Sequence, residues 1–71
     1  MPGDPAIVVY PPAQDGGRRV RLDDAFIGLA YTLVDIAEFL RRAGLEDVEA
    51  SDVEAARWIE WRGGGPHHWT A

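Results

Sequence analysis

Arg57, Trp58, Trp61, Arg62 and Trp69 gather towards the end of this 71-residue chain. Tryptophan and arginine dominate protein interfaces because each covers a large flat area while keeping a polar handle. On a strand, positions 58 and 61 face opposite sides, so one layer of core cannot bury both tryptophans. One is expected to complete the interior and the other to reach the surface, and these five residues form the candidate partner-binding set. A second cluster, Arg18, Arg19 and Arg21, could contact phosphate or an acidic surface if strand alternation puts Arg19 and Arg21 on one outer face. Asp15, Asp23 and Asp24 lie close by, and they favour a plainer reading, a solvated face whose charges balance.

Nucleophilic catalysis needs a hydroxyl or thiol with a base beside it. The chain has no cysteine and a single serine, Ser51. Ser51 stands three residues before Glu54, as Thr32 stands before Asp35, and that is the spacing of a helix cap rather than of an active-site elbow. Asp23 and Asp24 adjoin in a polar turn, where carboxylates are normally solvated. His67 and His68 are the two imidazoles, and a structural metal site takes four ligands. Gly63, Gly64 and Gly65 invite comparison with a phosphate-binding loop. That loop needs a lysine, a hydroxyl residue and a following helix, whereas Pro66 comes next here. No enzyme activity, metal or cofactor is expected.

The whole chain constrains these clusters further. Seventy-one residues make one domain with a modest core. Without cysteine there are no disulfides to supplement it, so self-association or a protein partner is the readiest source of extra burial. The net charge is −5, concentrated in the second half, where residues 46–54 hold five acids and no base. Such a balance disfavours phosphate-backbone binding, which needs a positive field. The N-terminus lacks the basic region of a signal peptide. No uncharged run exceeds that of Ala25 to Val34, about half a membrane span. A soluble cytoplasmic protein with no membrane partner is expected. Every basic residue is arginine, and neither lysine nor asparagine occurs, a coding bias that points to a bacterial genome of high GC content.

The elements that must position these residues can be read from periodicity and stop signals. Residues 1–5 read as a disordered lead, 6–62 as the domain and 63–71 as a flexible tail. Ala6 to Tyr10 is a β-branched strand halted by Pro11 and Pro12, which lack the amide a ladder needs. Arg18 to Leu22 alternates as a second strand, with Val20 and Leu22 on one face. Ala25 to Tyr31 reads as a third, because Gly28 is unfavourable inside a helix. Thr32 and Asp35 then open a helix over Leu33 to Ala43, with a staple expected between Tyr31 and Ile36. Its buried stripe is Leu33, Ile36, Ala37 and Leu40, widened by Val34 and Phe39. Gly44 and Leu45 close it with a left-handed cap. A short helix opens at the Ser51 cap, and Trp58 to Trp61 completes the domain as a final strand, favoured by its aromatic and β-branched content, or as a continuation of that helix to Arg62, stopped at Gly63. The expected fold is α+β, a small antiparallel sheet of three to four strands with one amphipathic helix packed on it. The alternative is mostly α, with a long helix from 24 to 43.

The functional expectation is a small non-catalytic protein-interaction module, self-associating or docking on a partner protein through its tryptophan-rich C-terminal region. The alternative is a small nucleic-acid-associated regulatory protein using Arg18, Arg19 and Arg21.

Overall fold

Alternation of β-branched and polar residues builds a four-stranded sheet in this computed structural model, which describes residues 6–70. The lead expected at residues 1–5 lies outside the described residues, as does Ala71. The elements are β1 (Ile7–Val9), β2 (Arg18–Leu22), β3 (Ala25–Ala30), α1 (Leu33–Arg42), α2 (Ala50–Ala55) and β4 (Ile59–Trp61). The strands lie in the order β3-β2-β1-β4. This is the expected α+β class, and the run from Ala25 to Ala30 is strand, which rules out the long-helix alternative.

The sheet is mixed rather than wholly antiparallel. β1 and β2 pair antiparallel across the loop 10–17, and β2 and β3 across the turn at Asp23 and Asp24, but β4 lies parallel to β1, with Ile7 opposite Ile59 and Val9 opposite Trp61. A parallel neighbour cannot be reached by a hairpin and needs a crossover. Residues 31–58, which contain both helices, provide that crossover. The β2–β3 turn closes without glycine because Asp23 takes a φ of +55°, a conformation that aspartate tolerates better than most residues.

α1 ends as its sequence dictates. The Gly44 amide donates to the Arg41 carbonyl at 3.1 Å and the Leu45 amide to the Leu40 carbonyl at 2.9 Å, the paired bonds of a Schellman motif. At the start, Thr32 Oγ1 accepts from the Asp35 amide at 3.2 Å. The Asp35 carboxylate reaches one residue further back than a capping box expects, to the Tyr31 amide at 2.8 Å. The Tyr31 hydroxyl donates to Asp15 Oδ2 at 2.8 Å. Ile36, Ala37 and Leu40 are buried. Val34 is 59% exposed and does not widen the stripe, because helical spacing puts it on the outward face with Glu38 and Arg41. α2 starts earlier than the Ser51 cap implies. Its N-cap is Glu49, whose amide donates to Asp52 Oδ2 at 2.9 Å, and its buried residue is Val53.

Ile7, Val9, Val20, Ala30 and Ile59 of the sheet meet Ile36, Ala37, Leu40 and Val53 of the helices in one core. Gly28 faces this core beside Val20. A Cβ added there would stand 2.5 Å from the Phe39 ring, so α1 approaches β3 as closely as it does only because residue 28 has no side chain. Gly28→Val is expected to lower stability by about 1–3 kcal/mol through overpacking, read as a reduced midpoint in thermal unfolding. Asp15 supplies a pH-dependent term. The Gly17 amide and the Tyr31 hydroxyl donate to its carboxyl and hold it below the usual carboxylate range. Its stabilising contribution is therefore present above the ordinary carboxylate pKa and lost as pH falls through the lowered folded value. An Asp15→Asn variant should be less stable than the parent at neutral pH, and the gap should close in acid.

Candidate interaction surface

Arg18 begins β2 at the position that strand alternation assigns to the inner face, alongside Val20 and Leu22. Its side chain is fully buried, and among the described residues no carboxylate pairs with it. All five N–H donors of the guanidinium are instead taken by backbone carbonyls. Nε donates to Tyr10 at 2.8 Å. Nη1 donates to Gly65 at 2.7 Å and His68 at 2.6 Å. Nη2 donates to Arg62 at 3.0 Å and Gly64 at 2.8 Å. The Trp61 and Trp69 rings stand over the same group, with centroids 5.3 and 5.4 Å from Cζ. Burial pulls the Arg18 pKa down from its ordinary value, but a guanidinium keeps its charge in proteins. The charge is thus spread over carbonyl dipoles and two aromatic faces.

The segment expected to be a flexible tail lies against the sheet and supplies most of these acceptors. Gly63 and Gly64 have φ values of +74° and +117°, and a Cβ at Gly64 would stand 2.5 Å from the His68 ring. The glycine run therefore folds the chain back so that successive carbonyls point at one cation. Trp69 Nε1 donates to the Pro66 carbonyl at 2.7 Å. His67 Nε2 lies 2.6 Å from Glu54 Oε2, which ties the segment to α2.

Arg18 is therefore unavailable to an external phosphate, which corrects the three-arginine reading. Trp61 and Trp69, expected among the partner-binding residues, are half-buried around Arg18. Trp58 remains 40% exposed. It lines a shallow crevice of about 210 Å³ with Arg57, Glu60 and the start of β1. Arg62 is exposed, bonded to Glu60 and stacked over the Tyr10 ring at 5.2 Å.

Helices and C-terminal segment cover one face of the sheet. Among the described residues no helix packs on the opposite face, which carries a continuous cross-strand row, Phe26, Arg21, Val8 and Glu60. Beside it stand Leu29, Arg19 and Tyr10. Phe26 is 58% exposed and Leu29 42%. Tyr10, Arg19, Arg21 and Phe26 enclose a groove of about 340 Å³. The Arg21 Nη2 donates to the Asp24 carbonyl at 2.7 Å, while its Nε is buried with no hydrogen-bond partner. Arg19 is exposed and has no ion-pair partner among the described residues. Tyr10, Phe26 and Leu29 were not singled out as binding residues by sequence, although their spacing from Arg19 and Arg21 carries the signal once the hairpin register is known. Among the described residues no group of acidic or imidazole side chains could hold a metal ion, and no helix is long and apolar enough to cross a membrane.

Arg18→Lys replaces five donors with three, and because the Gly65 carbonyl also accepts from the His68 amide, at least one carbonyl is left unpaired, at about 1–3 kcal/mol. Removal of residues 63–71 takes away the Gly64, Gly65 and His68 acceptors and leaves a buried charge partly unpaired, a loss of about 3–5 kcal/mol. Urea unfolding followed by tryptophan fluorescence checks both, with truncation expected to be the more damaging. No protein-family model matches this chain, and no curated protein or solved structure matches it either, so its reading rests on the geometry above.

Proposed function

We propose that this chain is a non-catalytic protein-interaction module that docks an acidic partner surface on the bare face of its sheet. One observation carries the reading, the concentration of apolar and arginine side chains on a face that no helix or strand among the described residues covers. Val8, Tyr10, Phe26 and Leu29 form its apolar part, with Arg19, Arg21 and Arg62 among them. That mixture of aromatic and guanidinium groups is the composition of interface hot spots. Electrostatics sharpens the choice of partner. The chain is acidic overall, and its densest acids, between Glu46 and Glu54, lie in and before α2, away from this face. The positive groups would therefore steer an acidic surface towards the groove. The contact moves from the tryptophan-rich C-terminal region to the sheet, with Trp58, Arg57 and Arg62 at its margin. A non-catalytic role is favoured because the groove is lined by tyrosine, arginine and phenylalanine, with no carboxylate or imidazole to act as a base at neutral pH.

Nucleic acid fits this face less well. Single-stranded binding relies on exposed aromatic rings as stacking platforms along a positive groove. The Tyr10 ring is already capped by Arg62, so Phe26 alone offers a free ring in the groove, and Arg18 is withdrawn into the interior.

NMR titration separates these readings. A peptide alternating glutamate with leucine and phenylalanine, at low salt, should shift the resonances of Tyr10, Arg19, Arg21 and Phe26 saturably. A combined Arg19→Glu and Arg21→Glu variant should abolish the effect. No saturable binding, or shifts confined to the Trp58 crevice, would reject the acidic-partner reading. Binding of oligothymidine at the same residues, weakening steeply with salt, would transfer the face to nucleic acid.

A further inference from the structure

We infer that the groove beside Arg19 and Arg21 takes a phosphorylated tyrosine side chain of the partner, its phosphate held by the two guanidiniums and its ring laid against Phe26. The inference rests on the reading of this face as a docking surface and names the group that anchors the partner there.

These two arginines differ from their neighbours in having donors to spare. Arg18 gives all five of its donors to backbone carbonyls, and Arg62 is bonded to Glu60 and stacked on Tyr10. Arg19 is exposed, and among the described residues no carboxylate pairs with it or with Arg21. Arg21 gives one bond, from Nη2 to the Asp24 carbonyl, while its Nε is buried without a partner. A buried N–H left unpaired is costly. An acceptor that reaches Arg21 from the groove removes a cost that the empty groove carries.

Sheet register puts both arginines within reach of one anion. They project from the same face of β2, roughly 7 Å apart along the strand. Tyr10 stands beside Arg19 on the β1 flank, and Phe26 stands opposite Arg21 on the β3 flank. The cations thus form a central row with an aromatic wall on each side. Two like charges side by side favour a ligand that carries the opposite charge twice. A phosphate monoester brings a charge of about −1.5 to −2 and three acceptor oxygens at neutral pH, and the guanidinium fork matches it. A carboxylate brings a single charge, which leaves one of the two arginines uncompensated. Size points the same way. The groove holds about 340 Å³, at the small end of ligand sites, roughly 300–1,000 Å³, which suits one bulky side chain rather than a run of acids. Phe26 selects an aromatic carrier, because its ring is 58% exposed, whereas the Tyr10 ring is capped by Arg62. Phosphotyrosine meets both demands at once, ring on Phe26 and phosphate on the neighbouring strand.

Fluorescence polarisation with a dye-labelled peptide carrying one phosphotyrosine tests the inference on the full chain, with NMR shifts locating the contact. At physiological salt the phosphopeptide should bind about tenfold or more tighter than the same peptide with tyrosine or phosphoserine at that position, and it should shift Arg19, Arg21 and Phe26. Arg19→Gln and Arg21→Gln should each weaken binding by about tenfold or more. Phe26→Ala should weaken it by about two- to tenfold. Arg19 and Phe26 are exposed, so these two variants should keep the fold by circular dichroism. Arg57→Gln, at the Trp58 crevice, should leave binding unchanged. Equal affinity for the phosphotyrosine and phosphoserine peptides would overturn the inference, as would binding that Arg19→Gln and Phe26→Ala leave intact. Inorganic phosphate that competes as well as the phosphopeptide would also overturn it, since the ring would then contribute nothing. Saturable binding of the glutamate peptide with no gain from phosphotyrosine would overturn this inference alone, and absence of binding by either peptide would overturn the acidic-partner reading with it.

Discussion

A buried guanidinium held by five backbone carbonyls sets the terms for this fold. An ionised group moved from water into a protein interior is expensive unless its hydrogen-bonding capacity is met in full. Arg18 meets that requirement with five carbonyl oxygens drawn from three places, the end of β1, the residue after β4 and the glycine-rich segment. None of these could move without stranding a donor. The parallel placement of β4 beside β1 and the close approach of the C-terminal segment therefore follow from the same constraint. Trp61 and Trp69 add the apolar part of the enclosure, covering the guanidinium with ring faces that attract a cation. In a chain with so small an interior and no disulfide, a saturated polar centre supplies specificity that aliphatic packing alone would leave loose.

Closing the inner face has a consequence for the outer one. Among the described residues, the two helices and the C-terminal segment pack on one side of the sheet. Val8, Tyr10, Phe26 and Leu29 are consequently left with solvent or with a partner. An antiparallel sheet can face water on one side when that side is polar, and here Arg19, Arg21, Glu60 and Arg62 keep the bare face soluble.

Much of the fold was legible from local signals because local physics decides those elements. The end of α1 rests on Leu40, Arg41, Gly44 and Leu45, which all act within one turn, and the structure follows the sequence there bond for bond. The first three strands were equally readable from alternation and from Pro11. The direction of β4 was not, because a three-residue strand carries no mark of whether it runs parallel or antiparallel to its neighbour. The C-terminal segment was misread for an instructive reason. Three glycines and a proline describe a chain with no preferred conformation of its own, and here the conformation is imposed by a cation forty-odd residues away. Arg18 itself was half visible. The alternation that assigns Val20 and Leu22 to the inner face assigns residue 18 there too, and only the habit of placing arginine in solvent argued otherwise. The exposure of Trp58 against the burial of Trp61 also follows from strand parity, but the reason Trp61 is buried, a cation beneath it, does not.

Tyr10 and Arg62 connect the two faces. Each accepts from the Arg18 guanidinium through its backbone carbonyl, at 2.8 and 3.0 Å. Their side chains meet on the bare side, where the Arg62 guanidinium stacks over the Tyr10 ring. The backbone amides of both residues are also fixed, to the carbonyls of Arg19 and Val9 at 2.9 and 2.8 Å. Main-chain atoms gripped from the inside thus position side chains on the outside. Tyr10 is a wall of the groove that Arg19, Arg21 and Phe26 complete, so the shape of that groove depends on the buried cation behind it. A loosened C-terminal segment would free the Arg62 and Tyr10 carbonyls together and let their stacked side chains drift apart. The same arginine that fastens the chain end therefore holds the candidate docking face in register, through two residues that belong to both sides of the sheet.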